Sequence, residues 1–148
     1  MVPIPILYIV TSADVLRGSA ALYRKLALAK GFQCQGYDVQ LLCYRMYGRS
    51  AMAHRKGRIF NVPYRILSPR IAGTSYFMKT ASYFYGSIIV LLSIENRPAP
   101  KLNLVWSNET NLLFHFPLFI LTRLRGMGYF IEYNENPFIW SCKYNKAL

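Results

Sequence analysis

The sequence predicts an α/β fold, a mostly parallel five-stranded sheet with helices on both faces, and three observations carry that prediction. Short apolar runs alternate with longer helical stretches along the chain. The opening run, Ile4 and Ile6-Leu7-Tyr8-Ile9-Val10, is almost unbroken, as expected of a central parallel strand buried on both faces. Residues 4–43 also carry the punctuation of a strand, turn, helix and strand. Gly18 and Ser19 stand where a helix opens and Gly36 where it stops.

Taken in order, the first helix presents Ala21, Leu22, Leu26, Leu28, Ala29 and Phe32 as a wide apolar arc, with Arg24 and Lys30 off it. Lys25 falls inside the arc and is expected to reach solvent along its stem. A second strand covers 38–43. Residues 44–56 are polar and basic and read as a long loop at that strand's carboxyl end, where loops usually carry function. A third strand is expected over 58–66, at an edge or bent, because Pro63 in its middle removes a ladder donor.

Thr74 or Ser75 can cap a helix running to Ser93. It is aromatic early, aliphatic late and apolar nearly all round, so it should be buried or rest on a membrane or a partner. Pro98 and Pro100 mark a linker, and a fourth strand follows over 102–106. The helical run 111–125 contains Pro117, expected to kink it or to open its second half; Arg123 and Arg125 suit its negative end, and Gly126 stops it. A fifth strand is expected over 128–133. Right-handed crossovers predict the strand order 3-2-1-4-5.

At 148 residues the chain has room for one domain, and 53% hydrophobic and 16% aromatic residues exclude disorder. Lys and Arg number 18 against 6 Asp and Glu, a formal net charge of +12. No acid occurs between Asp38 and Glu95, while Arg45, Arg49, Arg55, Lys56, Arg58, Arg65, Arg70 and Lys79 accumulate there. Uncompensated like charge over that length points to an anionic partner: a phosphate-bearing ligand, a membrane surface or nucleic acid. Cys34, Cys43 and Cys142 lack C-x-x-C spacing and read as reduced thiols of a cytoplasmic protein. The opening residues lack the basic segment of a secretory signal. The longest uncharged stretch, residues 80–94, falls short of the roughly 20 residues that span a bilayer. The expectation is a soluble or peripheral protein.

A turn and helix N-terminus after the first strand is where open α/β sheets bind anionic groups. A dinucleotide site is disfavoured, because Gly18 stands alone with no G-x-G-x-x-G and no acid ends the second strand. His115, on the apolar face of a helix, reads as a satisfied, partly buried histidine.

The layout resembles the N-terminal half of a GT-B-type glycosyltransferase of the family 4 kind. The residues that carry the resemblance are Ile6-Leu7-Tyr8-Ile9 leading to Gly18-Ser19; Gly36-Tyr37-Asp38-Val39, where that family has G-[HY]-[DE]-V; and Leu104-Val105-Trp106 before a polar turn and an apolar helix ending Arg123-Leu124-Arg125-Gly126. Tyr129-Phe130-Ile131-Glu132-Tyr133 resembles the strand before the family's second active-site turn. Where the family often has histidines, this chain has Ser107-Asn108-Glu109 and Asn134-Glu135-Asn136, and His54 and His115 fit neither place.

The resemblance implies a single Rossmann-like domain over 1–148, the acceptor side of a two-domain enzyme whose donor-binding half is absent from these residues, so that the chain alone should be inactive. The reaction implied is transfer of a glycosyl group from a nucleotide sugar to a hydroxyl of a glycan or lipid-linked acceptor, with no metal and no cofactor beyond that substrate. Gly18 and Ser19 would face the diphosphate. Glu109 and Glu135 would orient or deprotonate the acceptor, and Asn108, Asn134, Arg45, Arg49 and Arg55 would bind acceptor or anion. The expected place is the cytoplasm, peripheral to the inner face of a membrane. The alternative is a non-catalytic basic α/β module that binds anionic membrane lipid or nucleic acid; aromatics beside cations (Tyr44, Arg45, Tyr47, Arg49) could stack on bases, but no nucleic-acid motif is present.

Overall fold

The structure, a computed structural model, describes residues 4–12, 18–44, 55–67, 76–95, 103–107 and 112–132; of residues 76–80 and 82 it describes the backbone alone. The elements are β1 (Ile6–Thr11), α1 (Ala20–Cys34), β2 (Asp38–Cys43), β3 (Lys56–Ile59), β4 (Val62–Ile66), α2 (Tyr76–Ser93), β5 (Leu104–Ser107), α3 (Leu112–Leu124) and β6 (Gly128–Ile131). They build one sheet in the order β3-β4-β2-β1-β5-β6. Every neighbouring pair is parallel except β3 with β4.

The sheet therefore has six strands where five were expected. The segment read as a single strand over 58–66 is a hairpin, which turns at Phe60 and Asn61 between the paired residues Ile59 and Val62. Both turn residues are left-handed, with φ of 47° and 71°, the pair of positive angles that a two-residue type I′ connection demands. Asn tolerates that region; Phe gives no sign of it in sequence. Lys56 accordingly opens β3 and does not belong to the preceding loop. Pro63 is not on an edge strand, since β3 covers that side: it sits opposite Arg58, one residue before pairing of β4 with β2 begins at Tyr64 and Leu41. Its missing N–H thus falls outside the parallel ladder.

All six residues of β1 are buried, and the pleat sorts them between two clusters. Leu7 and Ile9 pack with Val39, Leu41 and Cys43 of β2 and with Leu22, Leu26 and Ala29 of α1. Ile6, Tyr8 and Val10 pack with Leu42, Val105, Val90 and Leu91 of α2, and Phe114 and Leu118 of α3. Tyr44, just past β2, stacks on Phe114 with ring centroids 4.3 Å apart. α2 closes onto that ring at Gly86, where a Cβ would lie 2.4 Å from Tyr44 Cδ2.

Helix ends follow from local sequence. Ser19 Oγ accepts from Leu22 N at 3.1 Å, capping α1. At the other end Gly36 has φ of 86°; Tyr37 N donates to Phe32 O (3.1 Å) and Gly36 N to Gln33 O (3.0 Å). This paired motif carries its hydrophobic contact too, the edge-to-face rings of Phe32 and Tyr37. α3 ends the same way at Gly126, with Met127 N on Thr122 O and Gly126 N on Arg123 O. α3 runs through Pro117 as one element. Arg125 does not serve its own helix: its guanidinium donates to Leu91 O (2.9 Å) and Ile94 O (3.4 Å), closing the carboxyl end of α2.

Candidate functional site

The chain reverses its direction of travel across the sheet between β1 and β5, its neighbours on opposite sides. Crossovers from β1 lead away through β2, whereas β5 and β6 extend the other way, and such a switch point opens a crevice at the strands' carboxyl ends. Thr11 and Ser107 end β1 and β5 there, both fully buried. Glu132 follows β6 and is tied in by its backbone N–H, which donates to Ser107 O at 2.8 Å.

Gly18 and Ser19 stand above this edge, at the start of α1. Gly18 has φ of 68°, and the Tyr23 hydroxyl lies 3.4 Å from where a Cβ would be. Ser19 directs its hydroxyl to the α1 cap. One turn further on, Lys25 differs from its expected place: its stem does not run out to solvent. The residue is only 3% exposed, and Nζ donates to Thr11 Oγ1. The lysine amine is thereby fixed beneath the switch point, where β1 and α1 hold it between them.

Across the edge, Arg24 of α1 forms an ion pair with Glu132 through Oε1. The other carboxylate oxygen, Oε2, is buried and meets no hydrogen-bond partner among the described residues. A cavity of about 220 Å³ opens beside this pair, lined by Arg24, Leu28, Trp106 and Glu132. A second, apolar recess of about 330 Å³ shares Leu28 and Trp106 and continues along the sheet to Phe32, Leu104 and Phe130. The arrangement offers a carboxylate with a spare acceptor oxygen, a guanidinium and an indole around one small space. That set suits a neutral polyhydroxyl group held against an apolar wall.

Of the residues singled out from sequence, the structure brings Gly18 and Ser19 to this edge. Arg55 is exposed and lies next to β3, where its carbonyl accepts from Ile66 N; β3 is three strand spacings from β1, about 14 Å. Glu109, Glu135, Asn108, Asn134, Arg45 and Arg49, with His54 and Cys142, lie outside the described residues. His115 is buried in the first turn of α3 with Nδ1 2.6 Å from the Tyr129 hydroxyl. Cys34 is exposed and Cys43 is buried. Among the described residues no group of His, Cys, Asp and Glu could hold a metal ion.

Sequence reasoning missed Lys25, Arg24, Trp106 and Glu132 as a group. One signal was available: Glu132 is an acid at a strand's carboxyl end in a chain with only 6 acidic residues. No protein-family model matches the sequence, and no curated protein matches it.

Proposed function

We propose that this chain is the acceptor-side, Rossmann-like half of a GT-B-type glycosyltransferase, with helices on both faces of its sheet. The observation that carries the reading is the switch-point edge itself, where a buried lysine, Lys25, and a half-buried carboxylate, Glu132, flank the carboxyl ends of β1, β5 and β6. The division of β1 between an α1 cluster and an α2–α3 cluster supports the two-faced layout.

In the proposed reaction the bond from the anomeric carbon to the diphosphate oxygen breaks and a bond to the acceptor oxygen forms, the acceptor's proton passing to a carboxylate. The first-turn N–H groups of α1 and the charge of Lys25 favour the developing negative charge on the diphosphate. Glu132 Oε2 accepts a hydrogen bond from an acceptor hydroxyl, while Arg24 fixes the carboxylate through Oε1 and Trp106 walls the space. Glu109 and Glu135 remain the proposed proton acceptors, and Asn108 and Asn134 the proposed acceptor contacts. The nucleotide is held by a donor-binding half that faces this edge. The acceptor is a glycan or lipid-linked saccharide, and the protein works peripherally at the cytoplasmic face of a membrane. No helix of the described residues is long and apolar enough to cross one.

The test is to offer the purified chain radiolabelled nucleotide sugars with a membrane extract, and separately to measure retention of lipid-linked saccharides. The expected result is no transfer by the chain alone and saturable acceptor binding that Glu132→Gln weakens about tenfold, the loss of one charge-assisted hydrogen bond. Transfer by the chain alone overturns the half-enzyme reading. Vesicle binding without saccharide retention favours the non-catalytic lipid-binding alternative.

A further inference from the structure

α2 and α3 pack side by side on the same core cluster, and each buries only the stripe that faces it. On α2 that stripe is Ser87, Val90, Leu91 and neighbouring Ile94; on α3 it is Phe114, His115, Leu118 and Thr122. Ordinary amphipathic helices turn polar residues outward. Here the outward stripes are apolar as well. Phe84, Ile88 and Leu92 recur every four residues on α2, and Leu112, Phe116 and Leu124 fall four and eight residues apart on α3, with Leu92 78%, Leu124 77% and Phe116 62% exposed. Soluble monomers rarely expose contiguous apolar patches beyond a few hundred Å², and two adjacent helices of 18 and 13 residues present a broad one.

We propose that the outer face of the α2–α3 layer beds into the interfacial region of an anionic phospholipid membrane. Charge favours lipid over a second copy of the chain: each copy carries a formal +12, and neither helix contains an acid to pair with the other copy's cations. Hydrogen bonding favours lipid over a protein partner. Protein interfaces carry roughly one hydrogen bond per 100–200 Å², whereas among the exposed described residues of the two helices only Tyr85 and Arg123 carry a side-chain donor or acceptor. Acyl chains ask for none. Neither helix is long and apolar enough to span a bilayer, so both lie in the plane of the surface, with Arg123, exposed in the last turn of α3, and the acid-free basic stretch 39–94 adding attraction to lipid phosphates. This inference rests on the peripheral placement proposed above and not on glycosyl transfer.

The experiment measures sedimentation of the full chain with sucrose-loaded vesicles of phosphatidylcholine and phosphatidylserine. The triple variant Leu92→Gln, Phe116→Gln, Leu124→Gln removes three apolar anchors without touching the core, and its affinity should fall at least about 100-fold with an unchanged circular dichroism spectrum. A second variant, Phe116→Trp, should be quenched by brominated phosphatidylcholine in mixed vesicles. A separate variant with Arg49, Arg55, Lys56 and Arg58 replaced by Ser should lose only the salt-sensitive part of binding. Wild-type affinity of the triple variant, or an unquenched Trp, overturns the proposal while leaving peripheral attachment through basic residues standing. A wild-type dimer that the triple variant dissolves overturns it in favour of self-association, and no binding to any vesicle overturns the peripheral placement with it.

Discussion

Gly31 inside α1 and Gly36 just past its end, five residues apart, should respond to the same substitution with opposite signs. Gly31 is exposed inside the helix, and a Cβ there meets nothing within 4 Å. Ala in its place restricts the unfolded chain and favours helix by about 0.5–1 kcal/mol. Gly36 also has nothing within 4 Å of a Cβ, but its φ is 86°. The left-handed conformation costs an L-residue about 1–2 kcal/mol, and no new packing offsets it. Reduced freedom of the unfolded chain returns about 0.4–1 kcal/mol, leaving Gly36→Ala destabilising by about 1 kcal/mol. The variants should thus differ by about 1.5–2 kcal/mol, which at roughly 2–4 °C per kcal/mol for a chain of this size separates their melting temperatures by several degrees. Urea unfolding followed by far-ultraviolet circular dichroism reads both, with unchanged slopes expected. If Gly36→Ala is neutral or stabilising, the helix end is not held by the paired hydrogen bonds of Tyr37 and Gly36, and the account of how α1 hands over to β2 fails.

Three further outcomes test other joints of the fold. Asn103 is 2% exposed and its Oδ1 accepts from Ile6 N at 3.2 Å, so Asn103→Leu should cost about 1–3 kcal/mol by stranding that buried N–H, measured as a fall in the urea midpoint. Arg125→Ala removes the donor from Leu91 O and Ile94 O and should cost about 1–2 kcal/mol, with hydrogen exchange accelerated in the last turn of α2 first; equal acceleration everywhere would contradict a local cap. Gly86→Ala places a methyl against the Tyr44 ring and should destabilise by about 1–3 kcal/mol, and Tyr44→Leu in the same chain should relieve part of that cost.

The strands and helices were legible wherever a single element decides its own pattern. The apolar run of β1, the cap at Ser19 and the stops at Gly36 and Gly126 are local chemistry, and the parallel strand order follows from chain handedness applied to that list. The hairpin was not legible, because Phe60 enters a left-handed turn without any of the residues that advertise one. Its tip instead meets Tyr23 of α1, with rings 6.3 Å apart, a contact between segments far apart in sequence.

The candidate site divides in the same way. Gly18 and Ser19 could be placed from their position after the first strand. Lys25 could not, since helical spacing puts it on the buried arc and only the register of α1 against β1 brings Thr11 Oγ1 to its ammonium. Glu132 and Arg24 are 108 positions apart and become partners solely because β6 ends beside α1. The outer faces of α2 and α3 make the point most sharply: sequence shows one helix apolar nearly all round and a second apolar helical run, and the former is equally the pattern of a fully enclosed helix. Which stripe is covered is a property of the sheet beneath, and a six-stranded sheet with one two-helix layer on that cluster has apolar surface for only one side of each helix.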